Sequence, residues 1–87
     1  MDKDLAHRNI LSRFYQALDD LIAKRIIRGV NTYCRLYGID RRNLTKQRED
    51  LSRGIFDVSW LVPMVSVYNI SATWLLTGKG EMYTERS

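Results

Sequence analysis

The chain has 87 residues, of which 45% are hydrophobic and 28% are charged, and its net charge is +4. This composition is typical of one small globular domain and excludes a disordered chain. The single cysteine excludes an internal disulfide, and the sequence contains neither a signal peptide nor an apolar run of about eighteen residues, so a cytoplasmic protein without a membrane contact is expected.

Positive charge is concentrated in the middle of the chain. Residues 24–53 contain nine Lys or Arg residues and three acids, whereas the other segments are close to balanced. A local excess of cations favours a polyanionic partner such as nucleic acid.

The first third of the chain predicts one long helix. Residues 1–7 are expected to form a flexible tail. From about Asn9 to Lys24, apolar residues recur every three or four positions, which predicts an amphipathic helix that Asn9 or a residue just before it caps. Arg28 and Gly29 then break the helical pattern.

Residues 30–49 predict two short helices joined by a tight turn. Gly38 follows the first helix, at a position where a left-handed backbone is often needed. Asp40 can cap the second helix, and Leu44 points toward the core. Six polar or cationic residues fall on the outer faces of that helix: Arg41, Arg42, Asn43, Thr45, Lys46 and Arg48. This layout is typical of a helix-turn-helix that binds DNA.

The spacing resembles that of the lambda-repressor-like (Cro/XRE) helix-turn-helix family. In that comparison Cys34 takes the small-residue position, Gly38 the turn, Ile39 the anchor after it and Leu44 the buried position of the recognition helix. Gln47 departs from the family, which usually buries Ile or Val there, and the resemblance leaves Leu51 to pack in its place. Gly29 also departs, because the family places a capping Ser or Thr at this point, so the first helix is under-capped unless Asn31 serves.

A second segment extends the resemblance. Residues 69–82, NISATWLLTGKGEM, look like the segment that closes many small phage-repressor-type regulators, so the likeness covers roughly residues 8–82. The resemblance implies an all-α fold, a compact bundle of about five short helices in a single domain spanning residues 1–87. It also implies double-stranded DNA as the partner.

The last third predicts two further helices. Asp57 or Ser59 can cap a fourth helix that runs to about Tyr68, with an apolar stripe on one side. Pro63 requires that helix either to start near Trp60, which is the preferred interpretation, or to be kinked. Its predicted stripe is Leu61, Val62, Val65 and Tyr68. Ser71 is expected to cap a final helix over residues 72–76, and residues 83–87 are expected to form a flexible tail.

Each predicted contact with DNA has a chemical reason. Arg41 and Arg42 carry two-pronged donors that match guanine O6 and N7, and Thr45 and Lys46 lie one turn further along, within reach of base edges. Asn31 and Thr32 open the preceding helix, where side chains and backbone amides can donate to phosphate. The other predicted phosphate contacts are Arg28, Asn43, Arg48 and Arg53. A solvated charged face is the alternative, but within residues 40–46 no acids at i,i+4 match the cations, which argues against it.

The sequence lacks the combination of residues that a catalytic site requires. Cys34 is expected to pack in a helix crossing and His7 to lie on the surface, and no second thiol or imidazole exists to complete a zinc site. Residues 78–80, GKG, lack the spacing of a phosphate loop and are expected to end a helix. The sequence therefore predicts no catalytic site, no metal, no cofactor and no small-molecule substrate.

The predicted function is that of a small prokaryotic or phage-type transcriptional regulator that binds DNA sequence-specifically as a homodimer, because paired modules bind half-sites about 34 Å apart. The alternative is an adaptor or antitoxin-like module with weak DNA binding or none. An RNA-binding protein is disfavoured, because no aromatic residue lies among the cations of the second helix. Trp60 and Trp74 either close the core over Phe14 and Tyr68 or, with Met64 or Tyr83, form a dimer patch.

Overall fold

Helix α1, Lys3–Ala23, is the longest element of the computed structural model, which describes residues 2–84. It begins six residues earlier than the predicted start at Asn9, because Asp2 caps it: the carboxylate accepts from the backbone N–H groups of Asp4 at 2.9 Å and Leu5 at 3.3 Å. Residues 3–7 therefore belong to a helix and not to a tail. One side of α1 is buried along its length, at Leu11, Phe14, Tyr15, Ala17, Leu18 and Leu21.

Two short helices follow, as predicted. Helix α2 spans Val30–Tyr37 and helix α3 spans Arg41–Glu49. Gly38 ends α2 in the left-handed region with a φ of 66°, where a residue with a Cβ atom would be strained. Asp40 caps α3, because its carboxylate accepts from the N–H groups of Arg42 and Asn43 at 2.8 and 3.2 Å.

The proline segment begins with a 3₁₀ turn. A 3₁₀ helix over Val58–Leu61 leads into helix α4, Val62–Ser66, and Pro63 lies in the first turn of α4, as preferred from the sequence. The predicted apolar stripe is wrong at Val62 and Val65, which are exposed. A 3₁₀ turn contains three residues instead of the 3.6 of an α-helix. The residues that face the core are therefore different from those that an α-helical period predicts. The buried side falls on Trp60, Leu61, Pro63 and Met64.

Helix α5, Ala72–Thr77, closes the bundle against α1. Ser71 caps it, because its hydroxyl accepts from the N–H of Trp74 at 3.2 Å. The predicted tail from residue 83 is wrong at Tyr83, which forms an isolated antiparallel bridge with Ile70 and packs against the core. Residues 85–87 of that predicted tail lie outside the described residues.

The core is aromatic at its centre. The rings of Phe14 and Tyr33 meet edge to face at 6.0 Å, and the ring of Trp60 lies 6.3 Å from that of Phe14. Trp60 and Trp74 are both buried, so their interpretation as core residues is confirmed and the tryptophan dimer patch is wrong.

The all-α prediction is also confirmed: helices are the only extended regular elements in residues 2–84. No helix in this range combines the length and apolarity needed to span a bilayer.

Candidate nucleic-acid interface

The outer face of α3 is exposed and basic. Arg41, Arg42, Thr45 and Lys46 are all exposed and line one shallow depression of about 310 Å³. Glu49 lies at the far end of the same depression and is its one acid. The structure therefore brings together the four residues predicted to contact bases, on one side of a single helix.

A second depression, of about 420 Å³, adjoins the start of α2. It is lined by Arg28, Asn31, Thr32 and again Arg41, together with Gly29 and Val30. Within the described residues no side chain caps α2, so the expected lack of a cap is confirmed. Backbone N–H groups at a helix start favour an anion. Three of the predicted phosphate contacts thus surround a helix start, and Arg41 joins this depression to the face of α3.

Arg41, Arg42 and Lys46 of α3 have no acidic partner among residues 2–84. Within residues 2–84 the ion pairs join Lys24 to Asp20 and Arg48 to Asp19, and neither involves Arg41, Arg42 or Lys46. The carboxylate of Asp40, the nearest acid along the chain before α3, is occupied by the cap that it makes to the helix. The positive charge of this face is therefore available to an external anion.

A hydrogen bond from α1 fixes the position of α3. The hydroxyl of Tyr15 donates to the backbone carbonyl of Leu44 at 2.7 Å, and Leu44 itself is buried. Burial raises the pKa of Tyr15 well above its ordinary value, because the charged phenolate is disfavoured away from water. Burial also raises the pKa of the Cys34 thiol, at the α2 crossing where a small core residue was predicted.

Gln47 has a role that the sequence did not reveal. Its side chain is fully buried, although the family resemblance left Leu51 to pack in its place. The side-chain oxygen accepts from the N–H groups of Ile55 and Phe56 at 3.0 and 2.9 Å, and the amide nitrogen donates to the carbonyl of Leu51 at 3.1 Å. Gln47 therefore holds the loop after α3 against the end of that helix, and α3 packs against the core beyond its second turn.

Arg48 is also held inside the domain. Its guanidinium forms an ion pair with Asp19 of α1 and lies 5.3 Å from the centroid of the Tyr15 ring. The side chain therefore already has an anionic partner and connects α3 to α1, and this ion pair competes with the phosphate contact of Arg48, which stays a prediction. The sequence signal was an acid on the exposed side of α1, 29 positions away.

The remaining predicted phosphate contacts lie apart from the two depressions. Asn43 is exposed on α3 but lines neither of them. Arg53 is exposed in the loop after α3, near Asp50. Hydrogen bonds from Ser52 lower the pKa of the Asp50 carboxyl, and the charge of Arg53 adds a smaller effect in the same direction.

The described residues show little that suits metal binding. His7 is half-buried, not solvated as predicted, and its ring meets that of Phe56 edge to face at 5.6 Å. Across residues 2–84 no three His, Cys, Asp or Glu side chains cluster closely enough to hold a metal ion.

Comparison of this chain with protein-family models, with curated proteins and with solved structures gives no match.

Proposed function

We propose that this chain binds double-stranded DNA sequence-specifically, as a small transcriptional regulator of the lambda-repressor-like, prokaryotic or phage type. The observation that carries the proposal is the position of Arg41. This residue belongs both to the basic outer face of α3 and to the depression at the start of α2. One arginine thus connects a helix face suited to the major groove with a helix start suited to phosphate.

In this proposal the two depressions contact different parts of the DNA: the one on α3 contacts bases, and the one at the start of α2 contacts the backbone. Arg41 and Arg42 present their guanidinium groups to guanine O6 and N7, and Thr45 and Lys46 extend the contact along the groove. Arg28, Asn31 and Thr32 contact the sugar-phosphate backbone and set the register of the protein on the duplex. The chain acts as a homodimer on two half-sites about 34 Å apart, and occupancy of the operator blocks or recruits polymerase.

Salt dependence tests the electrostatic part of the proposal. The affinity of the intact chain for duplex DNA should fall steeply as salt rises, because each neutralised phosphate releases counterions. Arg28→Ala should weaken binding to all duplexes alike and reduce the slope of log K against log salt by about one. Lys79→Ala, which removes an exposed cation beyond α5, is the matched control and should leave the slope unchanged.

The alternative function is a protein-interaction module, either an adaptor or an antitoxin-like protein. One observation favours it: an apolar groove lies on α4 and α5, and none of its lining residues belongs to the basic depressions. Association with a partner protein that does not respond to salt, combined with no measurable affinity for duplex DNA, would establish this alternative instead.

A further inference from the structure

An apolar groove is exposed between the 3₁₀ helix with α4 on one side and α5 on the other. Its volume is about 320 Å³. Several of the apolar side chains that form it are largely open to solvent: Val58 is 69% exposed, Val62 58% and Leu76 52%. The full lining is Val58, Leu61, Val62, Val65, Ser66, Ala72, Leu75 and Leu76. Contiguous exposed apolar surface of this kind marks an interaction site.

The groove lies in the part of the chain that carries no charge. Residues 58–78 contain no Asp, Glu, Lys, Arg or His, although 28% of the whole chain is charged. Interfaces with a different protein normally have a polar rim in which charges of one partner meet opposite charges of the other. None of the residues that line the groove supplies a charge for such a rim. The charged residues next to them are Arg13 of α1, whose guanidinium donates to the carbonyl groups of Leu75 and Leu76, and Asp57, which caps the 3₁₀ helix.

A second copy of the same chain suits this surface better than a different protein. In a two-fold symmetric contact the same patch occurs on both subunits, so a charge near the axis faces its own copy and repels it. Each chain also carries a net charge of +4, so two copies repel each other except where the contact surfaces are neutral. The lining residues of the groove satisfy both requirements, because none of them is charged.

We propose that this groove is the interface between two copies of the chain, which meet across a two-fold axis with Val58, Val62 and Leu76 packed against the partner. The inference rests on the proposed function, to which it supplies the surface of the homodimer. None of the lining residues belongs to the depressions around Arg41, so the contact leaves the face of α3 free for a duplex.

Sedimentation equilibrium of the intact chain without DNA tests the interface. The wild type is expected to form a dimer, and Val62→Glu and Leu76→Glu should each raise the dimer dissociation constant at least tenfold, because each places a carboxylate against its own copy. Val67→Glu is the matched control, since Val67 is 53% exposed next to α4 but does not line the groove, and it should dimerise as the wild type does. Far-ultraviolet circular dichroism of each variant verifies that the helices are retained.

Two results would overturn the interface. One is a wild-type chain that stays monomeric at millimolar concentration, which would assign the groove to a different occupant. The other is a folded dimer that neither glutamate variant weakens. The proposed function fails separately: a monomer that still binds duplex DNA overturns the interface alone, whereas a dimer that Val62→Glu dissociates but that does not bind duplex DNA overturns the regulator alone.

Discussion

The side-chain oxygen of Gln47 accepts a hydrogen bond from the backbone N–H of Phe56 at 2.9 Å, and it accepts a second from Ile55 at 3.0 Å. A glutamine buried in a core is tolerated only when its amide is satisfied, and here both ends of the amide have partners. One side chain thereby ties the loop after α3 to the helix that carries the basic face.

Replacing Gln47 with isoleucine should destabilise the protein even though isoleucine is apolar. Gln47→Ile removes the acceptor of two backbone N–H groups, and we expect a loss of about 2 kcal/mol in the free energy of unfolding. Gln16→Ile, at an exposed position of α1, is the control and should change stability by no more than about 0.5 kcal/mol. Urea unfolding measures both, and a Gln47→Ile protein as stable as the wild type would show that these hydrogen bonds do not matter.

Three glycines should respond differently to alanine. Gly78 ends α5 with a φ of 78°, and a Cβ atom there would lie 3.1 Å from the guanidinium of Arg13. Gly38→Ala should cost about 1–2 kcal/mol from its left-handed backbone alone, and Gly78→Ala should cost more because Arg13 must also move. Gly54→Ala meets no atom within 4 Å and should be nearly neutral. Equal stability of all three variants in thermal unfolding would refute this ranking.

Arg48 should contribute to stability and not to DNA affinity. Arg48→Ala removes a partly exposed ion pair with Asp19 and a contact with the Tyr15 ring, and we expect a loss of about 1 kcal/mol in the free energy of unfolding. The slope of log K against log salt for duplex DNA should stay at the wild-type value, in contrast to that of Arg28→Ala. A slope reduced by about one would restore Arg48 as a phosphate contact.

Acid should weaken the attachment of the C-terminal segment. The hydroxyl of Tyr83 donates to the Asp20 carboxylate at 2.6 Å and, with Lys24, holds the pKa of that carboxyl below its ordinary value. A lowered folded-state pKa stabilises the protein above the unfolded-state value of about 3.9, and this stabilisation is lost as the pH falls through the folded-state pKa.

Tyr83→Phe should therefore lose less stability between neutral and acidic pH than the wild type does, because Asp20 no longer has its strongest donor. Tyr68→Phe is the control, since the Tyr68 hydroxyl pairs with that of Tyr37 at 2.8 Å and not with a carboxylate. Relative to the wild type, Tyr68→Phe should lower the free energy of unfolding by the same amount at both pH values. Urea unfolding at each pH measures the difference, and an unchanged pH dependence in Tyr83→Phe would contradict the assigned cause.

Local signals in the sequence predicted most of the helix boundaries after residue 29. Gly38, Asp40, Ser71 and Gly78 act on neighbouring backbone groups, so their effects follow from positions a few residues apart. The exposed cations of α3 were predictable for the same reason: the period of the helix separates them from the buried Leu44.

The long polar side chains were not predictable because their partners are distant in sequence. Arg13 of α1 donates to the carbonyl groups of Leu75 and Leu76 at 2.8 and 3.0 Å and so satisfies the end of α5, more than sixty positions along the chain. Gln47 and Arg48 likewise contact groups that only the folded chain brings near. The 3.6-residue period of an α-helix also does not predict the 3₁₀ turn that exposes Val62.

Selection of binding sites from random duplex DNA shows whether the outer face of α3 recognises sequence through Arg41 and Arg42. The wild-type chain should enrich one defined, two-fold symmetric site. The double variant Arg41→Ala with Arg42→Ala should lose that enrichment, while Lys3→Ala with Lys79→Ala, which removes the same charge from exposed positions outside both depressions, should keep it. No enrichment by the wild type, or an unchanged site for the arginine double variant, would contradict the account.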